Sequence, residues 1–191
     1  LFVNPMARMR IGNPERRVPM PIDTARIRAA LDSHDPTTAA ITALIGIHGL
    51  RPREACALLL VDVRDHRIVL PDRTILLAPA TKARLDSYLA YRQQKWPGSI
   101  NPHFLIHTRS AATLEQVRVP WLTLKLAMPA HALRQDRILA EVHSGRDERR
   151  ISDFFGVTIA PAAKVVLTNA QNNDALTVNG PDFPDVFLLR D

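Results

Sequence analysis

Apolar residues recur three and four positions apart through much of the chain, which predicts a series of short amphipathic helices. The predicted helices cover, in chain order, residues 23–33, about 36–48, a segment opening at 51–54, roughly 80–95, 131–143, 147–156 and 161–168. Gly49 and Gly156 each follow a periodic segment, so we expect them to end those helices. The pattern over residues 117–127 is ambiguous.

Two β-rich runs interrupt the helical pattern. Residues 66–70 (HRIVL) and 73–77 (RTILL) flank Pro71-Asp72, which predicts a hairpin. Residues 103–107 (HFLIH) are a further short strand candidate. Helices combined with a hairpin predict an α+β fold that is mainly α, with a small antiparallel sheet.

Both ends of the chain differ from its middle. Residues 1–22 are rich in proline and arginine and have no periodicity, so they are interpreted as a linker-like segment. In residues 169–191 asparagines accumulate and cations nearly vanish, which indicates an irregular C-terminal tail. Residues 23–168 are left as one domain, and a chain of 191 residues is long enough for one domain with a real core.

Charge is distributed unevenly along the chain. The formal net charge is +6, but residues 167–191 hold four aspartates and one arginine, a net of −3, so residues 1–166 carry +9. Arginine supplies 21 of the 25 cations. Its planar fork binds phosphate in a bidentate manner, so the composition favours a polyanionic partner, and DNA is the partner we expect. An arginine content that merely reflects GC-rich coding is the alternative.

Other residue types narrow the class of protein. Cys56 is the single cysteine and lies among apolar residues, so we expect a buried structural thiol and neither disulfides nor a cysteine-based metal site. A reducing, cytoplasmic setting fits. No apolar run reaches the 18 or so residues of a membrane span. His103 and His107 are predicted to share a strand, not a metal site, and we expect no metal and no cofactor.

Two segments carry candidate chemistry. The first is 49–55 (GLRPREA), followed by 58–63 (LLLVDV), and the second is 131–134 (HALR). Because His131 and Arg134 are three apart on a predicted helix, they share a face. Together with Arg51 they could hold the oxygens of a phosphate, and the histidine could exchange a proton. A structural Arg51–Glu54 pair and an ordinary exposed helix face are the alternatives.

The order of these features resembles the catalytic domain of tyrosine recombinases of the phage-integrase type, over residues 36–166. The run 133–139 (LRQDRIL) also resembles a group of actinobacterial integrase-like proteins. The resemblance implies DNA breakage and rejoining without a metal or nucleotide, through a 3′-phosphotyrosyl link. It implies the following roles: Arg51 and Arg134 hold the scissile phosphate, His131 assists proton transfer, Glu54 orients basic groups, and Arg53, Arg73 and Arg137 add DNA contacts.

The chain departs from the family pattern at three positions. The hairpin turn, 70–73 (LPDR), lacks the family's lysine, and an arginine with a pKa above about 12 is a poor proton donor. Val157 stands where the family has histidine or tryptophan. The nucleophilic tyrosine should lie at Val165 or Val166, and the chain's tyrosines, Tyr88 and Tyr91, are predicted to pack in a helix.

The sequence therefore predicts an integrase-like protein, or site-specific recombinase by ancestry, that binds duplex DNA and does not cleave it. We expect a cytoplasmic protein, with a homo-oligomer on DNA as a further possibility and no membrane partner. A non-catalytic DNA-binding protein, or a helical interaction domain without DNA affinity, is the alternative.

Overall fold

Helices make up most of the residues that the computed structural model describes, which are 22–144 and 148–156. The described residues also form one antiparallel sheet with the strand order β1-β2-β3. The fold class is α+β, mainly α, as the sequence predicted. The elements are α1 (Thr24–Leu31), α2 (Pro36–Thr42), α3 (Pro52–Ala57), β1 (Val63–Arg64), β2 (Arg67–Val69), β3 (Thr74–Leu76), α4 (Pro79–Lys95), α5 (Val119–Leu126), α6 (Ala130–His143) and α7 (Glu148–Phe155).

Local chemistry explains where several helices begin. The Asp23 carboxylate accepts a hydrogen bond from the Ala25 N–H at 2.9 Å, and the Asp35 carboxylate accepts one from the Thr37 N–H at 3.0 Å. These aspartates satisfy amide groups that a helix N-terminus leaves without partners. Proline occupies the first helical turn of α2, α3, α4 and α5, where its missing N–H costs nothing.

The helix that contains α2 widens before it ends. Ala43–Ile47 forms a π-helical turn, and the His48 N–H donates to the Ala43 carbonyl at 3.2 Å. Gly49 then takes a left-handed conformation with φ +63° and reverses the chain toward α3. A π turn adds a residue to the helical circuit and shifts the positions that follow. Here it sets where the Gly49 carbonyl points.

The predicted hairpin is confirmed. Ile68 of β2 pairs with Val63 on one side and with Ile75 on the other, so the sheet gains a short strand that the sequence did not predict. The Leu70 N–H donates to the Arg73 carbonyl at 2.8 Å, which closes a turn around Pro71-Asp72. This turn holds the side chains of residues 72 and 73 at the tip of the sheet.

The strand predicted over residues 103–107 is wrong. Only one isolated bridge forms there, between His103 and Leu59. Phe104, Leu105 and Ile106 are all buried in succession, without the alternation of a half-buried strand. The ambiguous region 117–127 is largely helix α5.

The main core lies between α2, its π turn, α4, α5, α6 and the sheet. Its fully buried large side chains include Ile41, Leu44, Ile45, Leu50, Leu58, Ile68, Leu85, Tyr88, Phe104 and Leu105. A second cluster of Ile138, Ile151 and Phe155 packs α7 against α6. The spacing of Ile151, Phe154 and Phe155 predicted this contact face, and the structure confirms it.

Cys56 and the two tyrosines have structural surroundings. Cys56 is buried, and burial raises the pKa of its thiol to about 11, so the predicted buried thiol is confirmed. Tyr88 is buried, its hydroxyl accepts a hydrogen bond from the Ile106 N–H at 2.9 Å, and burial raises its pKa to about 12. The Tyr91 hydroxyl accepts from the Lys95 ammonium at 2.6 Å. Tyr88 is part of the core and Tyr91 packs against it, partly buried, so the predicted packing role of both tyrosines is confirmed.

His48 is a fully buried residue at the end of the π turn. Neither ring nitrogen has a hydrogen-bond partner among the described residues. Burial, and then the positive charge of Arg137, lower its pKa from 6.5 to about 4. Since the native state disfavours the protonated ring, the stability that neutral His48 contributes is complete above pH 6.5 and is lost as the pH falls toward 4.

We therefore expect the free energy of unfolding to fall by about 2–3 kcal/mol between pH 7 and pH 4.5 through this residue. Urea unfolding of the wild type and of His48→Leu at several pH values measures the effect. The variant should lack this part of the acid sensitivity while keeping the part due to carboxylates. Identical pH profiles for the two proteins would refute the assignment.

Three sequence expectations fall outside the described residues. They are the linker-like segment 1–22, except for Ile22, the predicted helix 161–168 and the tail 169–191. The Ile22 N–H donates to the Asp136 carboxylate at 3.1 Å, which fixes the entry to α1 against α6. The domain limits therefore stay predictions.

Candidate phosphate-binding site

The Gly49 main chain lies directly under an aromatic ring. A Cβ atom at this residue would stand 2.2 Å from Phe155 Cε1 and 2.3 Å from Cδ1, far inside van der Waals contact. Glycine therefore serves two purposes here: it allows the left-handed φ and it leaves room for the ring. The end of the π turn and the end of α7 consequently lie against each other.

Arg134 of α6 bridges these two helix ends. Its Nε donates to the Gly49 carbonyl at 2.8 Å, and its Nη2 donates to the Phe155 carbonyl at 2.6 Å. Burial chiefly, and then the positive charges of Arg51 and Arg73, lower its pKa to about 10, below the usual arginine value. The guanidinium still carries its charge at neutral pH.

Arg51 and Glu54 open helix α3 together. The Glu54 carboxylate accepts from the Arg51 N–H at 2.7 Å and from Arg51 Nη1 at 2.7 Å. Arg51 Nη2 donates to the carbonyl of Gly156, which is the residue after α7. The Arg51 side chain is nevertheless 42% exposed, so solvent and solutes can reach it.

The hairpin turn adds a second arginine to Glu54. Arg73 donates through Nη2 to Glu54 Oε2 at 2.7 Å and through Nη1 to Oε1 at 3.0 Å, and its side chain is only 6% exposed. Burial would raise the pKa of Glu54, but the bonds from Arg73 and Arg51 outweigh it and lower that pKa. The same bonds raise the pKa of Arg73 against the effect of its own burial.

Gly156 marks the point where the hairpin turn and the start of α3 meet. It has φ +59°, and a Cβ atom there would lie 2.9 Å from Arg51 Nη2, 2.9 Å from Arg73 Nη1 and 3.0 Å from Asp72 Oδ2. Three guanidiniums from three separate segments thus gather around the end of α7. We call Arg51, Arg73 and Arg134 the arginine cluster.

The structure brings some of the predicted site residues together and separates others. Arg51, Glu54 and Arg73 form one ion-pair network, and Arg134 lies near it, bonded to the carbonyls of Gly49 and Phe155. His131 lies one turn before Arg134, is exposed, and has no hydrogen bond with other described residues. Its predicted role in proton transfer stays a prediction.

Arg53 and Arg137, the remaining predicted DNA contacts, lie in opposite environments. Arg53 is exposed on α3. Arg137 is 6% exposed, donates through Nε to the Ile47 carbonyl at 2.9 Å and pairs with Glu141, which is buried beside it. These contacts give Arg137 a structural role and turn its guanidinium inward, so the geometry does not favour a DNA contact there.

Other sequence candidates have different outcomes. Val157 and Val165, the positions of the missing family side chains, lie outside the described residues. His107 accepts through Nδ1 from the Arg109 and Ser110 N–H groups, each at 3.1 Å, and so shapes a loop. Within the described residues no group of three or more histidine, cysteine, aspartate or glutamate side chains could hold a metal ion.

Sequence reasoning missed two parts of this site. Asp72 was noted only as a turn residue, yet it joins the ion-pair network of the arginine cluster. The carbonyls of Phe155 and Gly156 were not anticipated as acceptors for Arg134 and Arg51. Gly156 alone offered a signal, because a glycine that ends a helix often takes a left-handed conformation with exposed carbonyls around it.

Comparisons with solved structures identify the fold. The chain is similar to the XerA recombinase (TM-score 0.65, 19% identity), covering 84% of this chain and 67% of that one. It is similar to the Tn1549 transposon integrase in complex with circular intermediate DNA (TM-score 0.62, 13% identity), covering 85% and 66%. A third match is the XerH site-specific recombinase bound to difH substrate in a post-cleavage complex (TM-score 0.59, 13% identity), covering 82% and 52%.

The described residues therefore have the fold of a tyrosine-recombinase catalytic domain, as the sequence resemblance implied. The chain spans about half the length of XerH and about two thirds of the other two proteins. No protein-family model and no curated protein matches the chain. Within the described residues, no helix is long and apolar enough to cross a membrane.

Proposed function

We propose that this protein binds the phosphate backbone of duplex DNA and does not break the strands. The observation that carries the proposal is the arginine cluster, in which guanidiniums from α3, the hairpin turn and α6 converge at the end of α7. Phosphate contacts from arginine supply most of the affinity of sequence-independent DNA binding. The arginine cluster supplies guanidiniums that can make such contacts.

The electrostatics of Arg134 support an anionic ligand. Burial lowers the pKa of Arg134 most, and the positive charges of Arg51 and Arg73 lower it further, while the negative charge of Glu54 acts in the opposite direction. A phosphate oxygen that enters beside Arg51 would relieve this repulsion. Arg51 is the exposed member of the cluster, so it is the expected first point of contact.

Two features argue against strand cleavage. The valine at 165 has no side-chain oxygen to attack a phosphate, and both tyrosines of the chain pack in the core or against it. Arg73, which stands where the resemblance expects a proton-donating lysine, is bound by Glu54 and has a raised pKa. A group that holds its proton so firmly is a poor general acid.

Fluorescence anisotropy with a duplex oligonucleotide tests the binding. We expect Arg51→Ala to weaken binding by about tenfold or more, because a charge-assisted hydrogen bond to phosphate is lost. Arg109→Ala, which removes the same charge from an exposed loop, should change the affinity less than about threefold. Equal binding by the wild type and both variants at low salt would rule out the cluster as the DNA site.

Cleavage is tested by covalent trapping in the same samples. The protein is mixed with nicked duplexes from its source DNA, and an SDS-stable protein–DNA adduct is sought on a denaturing gel. Salt-sensitive binding without an adduct is the expected result. An adduct would show that a nucleophile exists in the chain and would overturn the non-cleaving assignment.

The remaining expectations are part of this proposal. We expect the protein to act in the cytoplasm, where it meets DNA, with a homo-oligomer on that DNA as a further possibility. His131, one turn before Arg134 and exposed, is expected to face the bound backbone. Arg53, exposed on α3, is expected to add a phosphate contact.

A further inference from the structure

The tip of the hairpin places a carboxylate inside the arginine cluster. Asp72 Oδ1 and Oδ2 lie 2.9 and 3.0 Å from Arg73 Nη1, and Oδ2 lies 3.5 Å from Arg51 Nη1. A carboxylate presents its two oxygens to a guanidinium in much the same way as two oxygens of a phosphate do. Asp72 therefore uses donors that a bound phosphodiester would need.

The fold does not depend on this carboxylate. The turn is closed by the main-chain bond from the Leu70 N–H to the Arg73 carbonyl, and Arg73 is already held by two bonds to Glu54. The Asp72 side chain is 47% exposed, and the hydrogen bonds it accepts from the described residues all come from a side chain. The negative charge of Asp72 is thus not needed to form the turn. The charge of Glu54 is needed, because it binds both Arg51 and Arg73.

We infer that Asp72 is an internal competitor of phosphate, which occupies the exposed side of the arginine cluster and sets its affinity for a phosphodiester. This inference rests on the proposed DNA binding. Three guanidiniums and the carboxylates of Glu54 and Asp72 give the site a net charge of +1, and neutralising Asp72 makes it +2. Binding of a backbone phosphate displaces the Asp72 carboxylate from Arg51.

The test compares Asp72→Asn with Asp65→Asn in anisotropy titrations with one duplex. Asp65 lies exposed in the neighbouring β1–β2 turn, in no ion pair with other described residues, and its φ of +50° suits asparagine. We expect Asp72→Asn to bind DNA about threefold to thirtyfold more tightly than the wild type. The Asp65 variant should differ by less than about twofold, and Asp72→Glu should bind like the wild type.

A second measurement separates competition from a change in the shape of the turn. The gain in affinity should shrink when Asp72→Asn is combined with Arg51→Ala, because Arg51, the more exposed of the two arginines that Asp72 contacts, is then absent. Inorganic pyrophosphate serves as a small probe that needs no DNA-binding surface. It should raise the melting temperature of Asp72→Asn more than that of Asp65→Asn.

The outcomes distinguish this inference from the proposed function. Equal DNA affinity and equal pyrophosphate stabilisation of the Asp72→Asn and Asp65→Asn proteins would overturn the inference, even if the wild type binds DNA. If no variant binds DNA but pyrophosphate stabilises Asp72→Asn selectively, the inference stands and DNA binding fails. If the gain is undiminished without Arg51, competition between Asp72 and phosphate for Arg51 is wrong.

Discussion

Replacing Gly49 with alanine is expected to lower the free energy of unfolding by about 2–5 kcal/mol. Two costs add at this residue. Alanine disfavours the left-handed φ of +63°, and its Cβ would stand 2.2 Å from the ring of Phe155. The ring is buried in the α6–α7 cluster, so it cannot move away without disturbing α7. Urea or thermal unfolding, followed by circular dichroism, measures the loss.

Gly98 provides the matched control for this substitution. A Cβ atom at Gly98 would meet nothing within 4 Å, so Gly98→Ala should change stability by less than about 1 kcal/mol. Equal melting of the two alanine variants would contradict the described contact. If Gly49→Ala does not fold, the double variant with Phe155→Leu gives a second test. Making room at residue 155 should recover part of the loss, which a purely backbone effect would not allow.

Arg134→Ala is the second substitution with a large expected effect. The substitution leaves the carbonyls of Gly49 and Phe155 without their guanidinium donor. The end of α7 then loses its hydrogen-bonded link to the end of the π turn. Because hydrogen bonds from charged donors contribute about 1.5–3 kcal/mol each and such contacts are only partly additive, we expect a loss of about 2–4 kcal/mol. DNA affinity should also fall at least about tenfold, since the cluster loses a charge and α7 shifts.

Arg134→Lys separates the two roles of this side chain. Lysine keeps the positive charge, but an ammonium lacks the fork that reaches both carbonyls at 2.8 and 2.6 Å. The lysine variant should therefore be nearly as unstable as the alanine variant and should bind DNA better. Gln135→Ala, at the next exposed position of α6, controls for a general effect on the helix. Wild-type stability of Arg134→Ala would show that the two helix ends are held by other contacts.

Elements with local causes were predictable. The helix starts follow from aspartates that cap the helices and from prolines in the first turn, and the hairpin follows from Pro71-Asp72 between two β-rich runs. The strand over 103–107 was wrong because an apolar run indicates burial and does not distinguish a strand from a buried loop. Here the Phe104 N–H donates to the Leu58 carbonyl and the Leu60 N–H donates to the Pro102 carbonyl. The described residues on either side do not continue this pairing, so no regular strand forms.

The sequence by itself determined the helical architecture with its hairpin, the resemblance in fold, and the candidates Arg51, Glu54 and Arg134, because each depends on short-range spacing. Only the tertiary structure decided which cations meet. Arg73 reaches Glu54 because the sheet packs its turn against α3, and Asp72 enters the site by the same packing. Arg137 is buried because α6 lies against the π turn. Such pairings depend on how distant segments dock, and residue spacing along one element does not encode that.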